Sequence, residues 1–419
     1  MPNTTRKGDL RVLIAGGGVA ALEALLTLHE LAGDRVSIRL LSPGADFVYR
    51  PLAVGEPFGL GRARRYDLRR ICQEHGAALT AGALESVDAA GHRVRTATGS
   101  DLDYDVLLIT VGGKVSPALP GAVTVAGPGY TGRFRTILEQ LEGHRFQRLT
   151  FAVPTRAAWP LPLYELALMT AARLNAHEVP MRGVELRLVT PEARPLELFG
   201  AAASAEVEAL LERAGVELLT GLHAVAVEDG ALVVAPRSSP AVPADRVVSL
   251  PTVSGPSIEG IPSDADGFIP ADSHGVVPGV PDVYAAGDAI AFPVKQGGIA
   301  AQQADAAAES IADFAGADVT PEPFRPVLRG MLLTGDRPRY LRAEISGGRG
   351  EDWEVAEHAL WWPPSKIAGR RLAPYLGVHH RELARGRDAD GLPVEVEIEL
   401  EARAAGTGKV TALPGDDMR

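Results

Sequence analysis

A glycine turn near the start of the chain constrains it more than any other feature. Arg11–Ala15 is a short apolar run, Gly16-Gly17-Gly18 interrupts it, and Leu22, Leu25, Leu26 and Leu28 then recur at helical spacing. The order is strand, glycine turn, helix. Within the pattern Gly16-x-Gly18-x-x-Ala21, the first glycine makes the tight turn and the second lets backbone approach a pyrophosphate. The third small position, with Ala20 beside it, lets helix and strand touch. Val36–Leu41 extends as a second strand and completes a βαβ unit. An acidic residue is expected at the end of that strand, to hold a ribose hydroxyl. Ser42 stands there instead and would accept the same hydrogen bond more weakly. Alone, the turn also suits other α/β proteins.

The rest of the composition narrows the choices. A chain of 419 residues, at roughly 150 per domain, holds about two or three domains with ample core. Hydrophobic residues at 46% and charged residues at 23% exclude wholesale disorder and a fibrous repeat. A net charge of −11 with no basic cluster argues against nucleic acid as a partner. Cys72 is the one cysteine, which excludes within the chain a disulfide framework, a four-cysteine iron–sulfur site and a redox dithiol. It is expected on a helix, Tyr66–His75, as an incidental thiol. The histidines show no ligand spacing, His379-His380 reads as a surface pair, and no metal is expected. No apolar run reaches about 18 residues and no signal-peptide core opens the chain, so the expected compartment is the cytoplasm. Only five lysines (7, 114, 295, 366 and 409) stand against 37 arginines, so a lysine here is not filler.

Along the chain, a strand at Val106–Thr110 closes on Gly112-Gly113, and Leu149–Val153 restarts a strand–helix pattern with a helix over Leu163–Leu174. Strands are expected at 184–190 and 216–219, a helix at 201–213, and a Pro/Ser-rich loop at 235–246. Asp282–Ala286 is a strand, Gly287-Asp288 a turn, and Gln296–Ala315 an alanine-rich helix. From Pro321, proline, arginine and tryptophan dominate. Val394, Val396, Ile398 and Leu400 alternate with glutamates as a half-buried strand, and the tail after Ala404 reads as mobile. The fold class is therefore α/β. It has two Rossmann-like domains, one discontinuous (1–125 and 250–320) and one over 126–249, plus a C-terminal α+β region, 321–419, that caps or forms an interface.

The second signature, Val283-Tyr284-Ala285-Ala286-Gly287-Asp288, makes the first specific. Together they resemble the two-dinucleotide-binding-domain flavoproteins. Within that group the chain is similar to sulfide:quinone oxidoreductases, flavocytochrome sulfide dehydrogenases and type II NADH:quinone oxidoreductases. The matching segments are Phe47–Leu52, which includes Arg50 and Pro51, Leu108–Gly113 with Gly112, Pro293–Gly298, Trp361–Lys366 and Leu372–Leu376. The resemblance spans about residues 10 to 376 and implies FAD. The early turn would take the ADP half, Asp288 the ribityl hydroxyls, and the amino end of the helix at Gly297-Gly298 would face the flavin.

The resemblance further implies a glutamate near the flavin, matched by Glu165, with Lys295 and Gln296 at the flavin or substrate edge. Glu165 read bare is also an ordinary glutamate of a helix start. Two departures shape the expected chemistry. Sulfide oxidation in these relatives needs two cysteines, which this chain lacks. The turn that would receive a nicotinamide dinucleotide reads Val153-Pro154-Thr155-Arg156-Ala157-Ala158-Trp159-Pro160-Leu161-Pro162, where prolines remove amide donors and Trp159 adds bulk, so no tight NAD(P)H site is expected. The expected activity is an FAD-dependent oxidoreductase taking electrons from a small donor to a quinone or other acceptor. The alternatives are a flavin-bearing binding or sensor protein and a specialised biosynthetic flavin oxidase. Residues 361–376 leave open a cap over the flavin, a homodimer contact, or peripheral contact with the inner face of a membrane.

Overall fold

The computed structural model describes residues 9–126, 129–177, 183–346 and 349–385. Two five-stranded parallel sheets organise them. In the first the order is Val283–Ala285, Val106–Ile109, Leu10–Ala15, Val36–Ser42, Ala78–Ala81. Its inner strands read as near-continuous apolar runs because helices or small sheets cover both faces. Ala15 pairs with Ile109, and Ile109 with Ala285. The residues that follow, Gly16, Thr110 and Ala286, therefore leave the sheet side by side, although all three lie far apart in the chain.

Seven α-helices lie among the described residues: α1 (Val19–Ala32), α2 (Leu68–Glu74), α3 (Tyr130–Glu142), α4 (Leu161–Ala176), α5 (Ala201–Arg213), α6 (Gly297–Phe314) and α7 (Leu372–Arg385). α1 and α6 pack against each other, and both are almost wholly buried. Their contact is lined by Ala21, Ala24, Ala300, Ala304, Ala307 and Ala308, small enough for close approach. α2 is shorter than the Tyr66–His75 expectation. Tyr66 belongs to a strand, Arg64–Asp67, that pairs with Asp46–Tyr49, and Asp67 then caps α2 by accepting from Arg69 N at 2.8 Å.

The second sheet has the order Val123–Thr124, Arg246–Ser249, Arg148–Ala152, Glu185–Val189, Val216–Leu219. The chain passes between the lobes through an antiparallel pair, Lys114–Pro117 with Pro251–Ser254. A three-stranded antiparallel sheet, Val327–Leu332, Arg339–Ser346 and Arg349–Ala356, joins the core of the second lobe through Leu328, Leu332, Tyr340 and Leu341. The segment after it crosses back to the first lobe and ends in α7, which packs on α1. The loop expected at 235–246 contains a short strand, Val242–Pro243. The strand expected at 394–401 and the tail after Ala404 lie outside the described residues.

Candidate active site

The carboxyl edge of the first sheet gathers both glycine signatures. Gly16 has φ +140°, and a Cβ there would fall 2.3 Å from Thr110 O. One at Gly17 would fall 2.5 Å from Ser42 Oγ. Gly18 differs from both, since nothing lies within 4 Å of its Cβ position. Its backbone is extended, no side chain caps α1, and the first helical bond is Leu22 N to Gly18 O. The amides of Val19, Ala20 and Ala21 are thus left without an intrahelical acceptor at an open face. Gly287, with φ +79°, lies on the other side of this turn, where a Cβ would meet that of Ala20 at 3.1 Å. Its amide donates to Gln303 Oε1 at 2.9 Å. Gly112, at φ +77°, lies just beyond the strand Val106–Ile109 between them and is open on its Cβ side.

Asp288 follows Gly287. Burial pushes its carboxyl up while Lys295 pulls it down, and no group of the described residues donates a hydrogen bond to it. A half-buried carboxylate next to Gly287 without a donor can accept from ligand hydroxyls. The open glycine turn, the unused amides of α1 and the donor-free Asp288 therefore fit a dinucleotide that carries a polyol chain.

Around this crevice the other candidate residues take different places. Lys295 donates from Nζ to Ile290 O at 2.5 Å and lies 3.8 Å over the centre of the Phe268 ring. Burial pushes its ammonium down to about 8, with Asp288 and Asp264 opposing. Gln296 is buried and committed to α6, accepting from Ile299 N at 2.9 Å and donating to Arg329 O at 3.1 Å. It holds the helix end rather than offering a free amide. The amides of Gly297 and Gly298 precede the first helical bond, Ala300 N to Gln296 O. Ser42 is turned inward, its hydroxyl bonded to Gly44 O at 3.0 Å. Arg50 is exposed at the turn into the short 3-10 helix that Pro51 opens. Tyr49, next to it, accepts from Ile367 N at 3.3 Å.

Glu165 lies on α4 and is fully buried. Its Oε1 accepts from Lys366 Nζ at 2.5 Å and from Leu333 N at 2.9 Å, and its Oε2 has no partner. Burial pushes the carboxyl up and the ammonium down, each opposed by the other. The sequence reading set Lys295 and this glutamate both beside the flavin. Here Lys366 is its partner, while Lys295 stands by Asp288. The rarity of lysine that singled out Lys295 applied equally to Lys366. Ile367 lies against the start of α6, where a Cβ on Gly297 would come within 2.8 Å of its Cδ1. Arg371 anchors the same strap by binding Glu30 and Asp305, and Glu23 of α1 accepts from the amides of Arg371 (2.6 Å) and Leu372 (3.0 Å). No sequence pattern pointed to Glu23, an acid in the middle of an apolar helix.

The second lobe has no comparable cradle. In the turn from Val153 to Leu163, Ala157 N bonds Pro154 O, Leu163 N bonds Pro160 O, and Lys295 N takes Ala158 O. Trp159 packs edge-on against Phe199, and Arg156 is ion-paired with Asp266 of the first lobe. At the end of the strand Glu185–Val189 stands Glu192, which the sequence reading passed over. It accepts from Tyr164 Oη at 2.6 Å and Thr190 Oγ1 at 2.8 Å. Cys72 is buried on α2, its thiol pushed up to about 11 by desolvation and Asp67. His379 is not the surface group expected, since its Nε2 lies 3.2 Å from Glu74 Oε2 and its side chain is mostly covered. No cluster able to hold a metal occurs among the described residues, and no helix among them is long and apolar enough to cross a membrane.

Two parallel sheets joined by paired crossings, with both glycine signatures on one carboxyl edge, define a two-lobed Rossmann-like architecture. The pyridine nucleotide-disulphide oxidoreductase family model matches residues 165–309. An NADH dehydrogenase-like protein of Mycobacterium tuberculosis is 30% identical over 304 residues, covering 67% of this chain and 73% of the relative. The sulfide:quinone oxidoreductase of Aquifex aeolicus has a similar fold, with a TM-score of 0.74 at 18% identity over 89% of this chain and 90% of that one. A ferredoxin reductase from Rhodopseudomonas palustris superposes with a TM-score of 0.61 at 18% identity, covering 81% and 83%. The chain belongs to the pyridine nucleotide-disulphide oxidoreductase superfamily, a group of flavoprotein oxidoreductases, and is an enzyme of that class.

Proposed function

We propose that this protein binds FAD and passes electrons from a small donor to a quinone or another acceptor without a cysteine intermediate. The observation that carries the reading is the buried Glu165–Lys366 pair, one residue from the Ile367 that covers the start of α6. Bound flavin would supply two-electron uptake with release in one or two steps. Gly16, Gly18, Ala20 and Ala21 would hold the pyrophosphate against the amino end of α1, and Asp288 the ribityl hydroxyls. The amides of Gly297 and Gly298 would stabilise negative charge developing nearby. Glu165 would hold or release a proton at its carboxyl, with Lys366 stabilising the ionised form. The one thiol is buried and protonated at neutral pH, which supports an electron path that bypasses sulfur.

A second reading, a nicotinamide dinucleotide as donor, draws support from Glu192, an acid shortly after the second strand of that lobe, where a ribose hydroxyl would need an acceptor. The filled turn before α4 weighs against it. Anaerobic stopped-flow mixing of the flavin-loaded protein with NADH, NADPH, sulfide and quinols separates the readings. Bleaching by quinols or by none of these donors is expected, and bleaching by NADH within seconds would select the second reading. Asp288→Ala should purify without flavin. Full occupancy in that variant would sink the assignment of the cradle.

A further inference from the structure

Glu165 Oε2 and the Tyr130 hydroxyl are both buried and have no partner among the described residues. They sit on neighbouring helices. α3 and α4 are packed against the same short helix, Pro51–Phe58, and near their carboxyl ends Arg173 Nε meets Glu142 Oε1 at 2.5 Å. α3 precedes the strand Arg148–Ala152 and α4 follows it. Tyr130 opens α3, and Glu165 lies near the start of α4. Glu165 and then Glu56 are the charges that act on Tyr130. With burial as the main cause they push its phenol far above the ordinary value, so it stays a neutral hydroxyl. Glu56 is half-buried beside it, accepting from Thr131 Oγ1 and from Ala63 N, each at 2.6 Å.

Buried polar atoms are nearly always satisfied, by protein or by internal water. Two such atoms, on helices that pack against one short helix and with Glu165 acting on Tyr130, call for a common partner. We propose that Tyr130 and Glu165 share an internal water and form the inner half of a proton path whose outer end is Glu56, which makes Tyr130 a proton-relay residue. This rests on the reading of Glu165 as proton carrier. A neutral hydroxyl donates one proton while accepting another. A proton entering at Glu56 therefore emerges at Glu165 Oε2 with no net charge left on the ring. Glu165 returns to the carboxylate when it passes that proton to the reacting group, and Lys366 holds the charge.

The test uses the flavin-loaded protein with Tyr130→Phe, and Glu56→Gln as a second variant should the first fold poorly. Flavin content and visible spectrum should match the wild type. Steady-state turnover should fall about tenfold, most steeply toward high pH, with a larger solvent deuterium isotope effect. Infrared difference spectra of the oxidised and reduced protein give a readout apart from turnover. The carboxyl band that disappears in Glu165→Gln should shift in Tyr130→Phe, because its hydrogen-bond partner has changed. If both relay variants keep the wild-type pH profile, isotope effect and band position, the relay is overturned alone. If Glu165→Gln itself turns over like the wild type with the same band present, the reading of Glu165 fails and takes the relay with it.

Discussion

The two strand–turn–helix units of this chain depart in opposite ways from the dinucleotide-binding pattern. In the first lobe the turn is open, with Gly18 unobstructed and three α1 amides unclaimed. The second strand there ends in Ser42, whose hydroxyl is spent on Gly44. In the second lobe an acid, Glu192, follows the second strand and is bonded to Tyr164 and Thr190, but the turn is built of prolines and closed by Trp159 and by contacts to the first lobe. A phosphate needs free amides and close backbone approach, which no side chain downstream restores. A ribose hydroxyl needs only an acceptor, for which serine, glutamate or backbone suffices. Loss of the acid therefore weakens a site, whereas loss of the turn removes it.

The largest expected effect comes from filling the open turn. Gly16→Val places a Cβ against Thr110 O at a backbone angle that L-residues avoid. It should lower stability by at least about 3 kcal/mol and abolish flavin retention. Denaturant unfolding and flavin absorbance check this, and wild-type values for both would break the comparison. Next comes the junction where α4 leaves the closed turn. Glu165→Gln leaves Lys366 buried without its counter-charge and should cost about 3 kcal/mol. Glu165→Gln combined with Lys366→Met should recover most of that loss while remaining inactive, because an uncharged pair leaves no buried charge without a partner but carries no proton. A thermal-unfolding double-mutant cycle with parallel turnover assays measures both.

A smaller effect is expected from opening the second turn. Trp159→Gly removes the bulk but leaves Pro154, Pro160 and Pro162 without amide hydrogens, so NADH affinity should change less than about tenfold. Titration calorimetry showing tight NADH binding to this variant would mean that bulk, not missing amides, closes the lobe. The smallest effect concerns Lys295. Its ammonium is pushed from 10.5 down to about 8, so between these values the folded protein binds fewer protons than the unfolded chain. Its contribution to stability is present above that window and lost as pH falls through about 8. Lys295→Met should flatten the rise in urea midpoint across that range.

Much of this was legible in the sequence because it depends on local spacing. Strand, glycine turn and helix at residues 11–31 involve backbone geometry within a few residues, and Gly287-Asp288 is a turn of the same kind. The helix expected at Tyr66–His75 started too early because Tyr66 is claimed by a hairpin partner, Phe47, across a long loop. Glu165 stood out only by resemblance, and Gln296 looked like a site residue because the acceptor of its amide, Arg329 O, lies far along the chain. Tyr130 carried no signal at all, since a tyrosine at a helix start is ordinary until its hydroxyl is found buried without a partner.

By itself the sequence determined the class of the fold, the open first turn, the proline-filled second turn and the absence of a cysteine pair. Each of these is a matter of which residues can occupy a given backbone conformation or form a given bond. Only the tertiary structure decided which lysine neutralises Glu165, that Glu23 caps α7, and that Glu192 is held by Tyr164. Those pairings join residues far apart in the chain. Burial gives them their strength, because a charge or hydroxyl removed from water must find its partner wherever the packed chain has brought one.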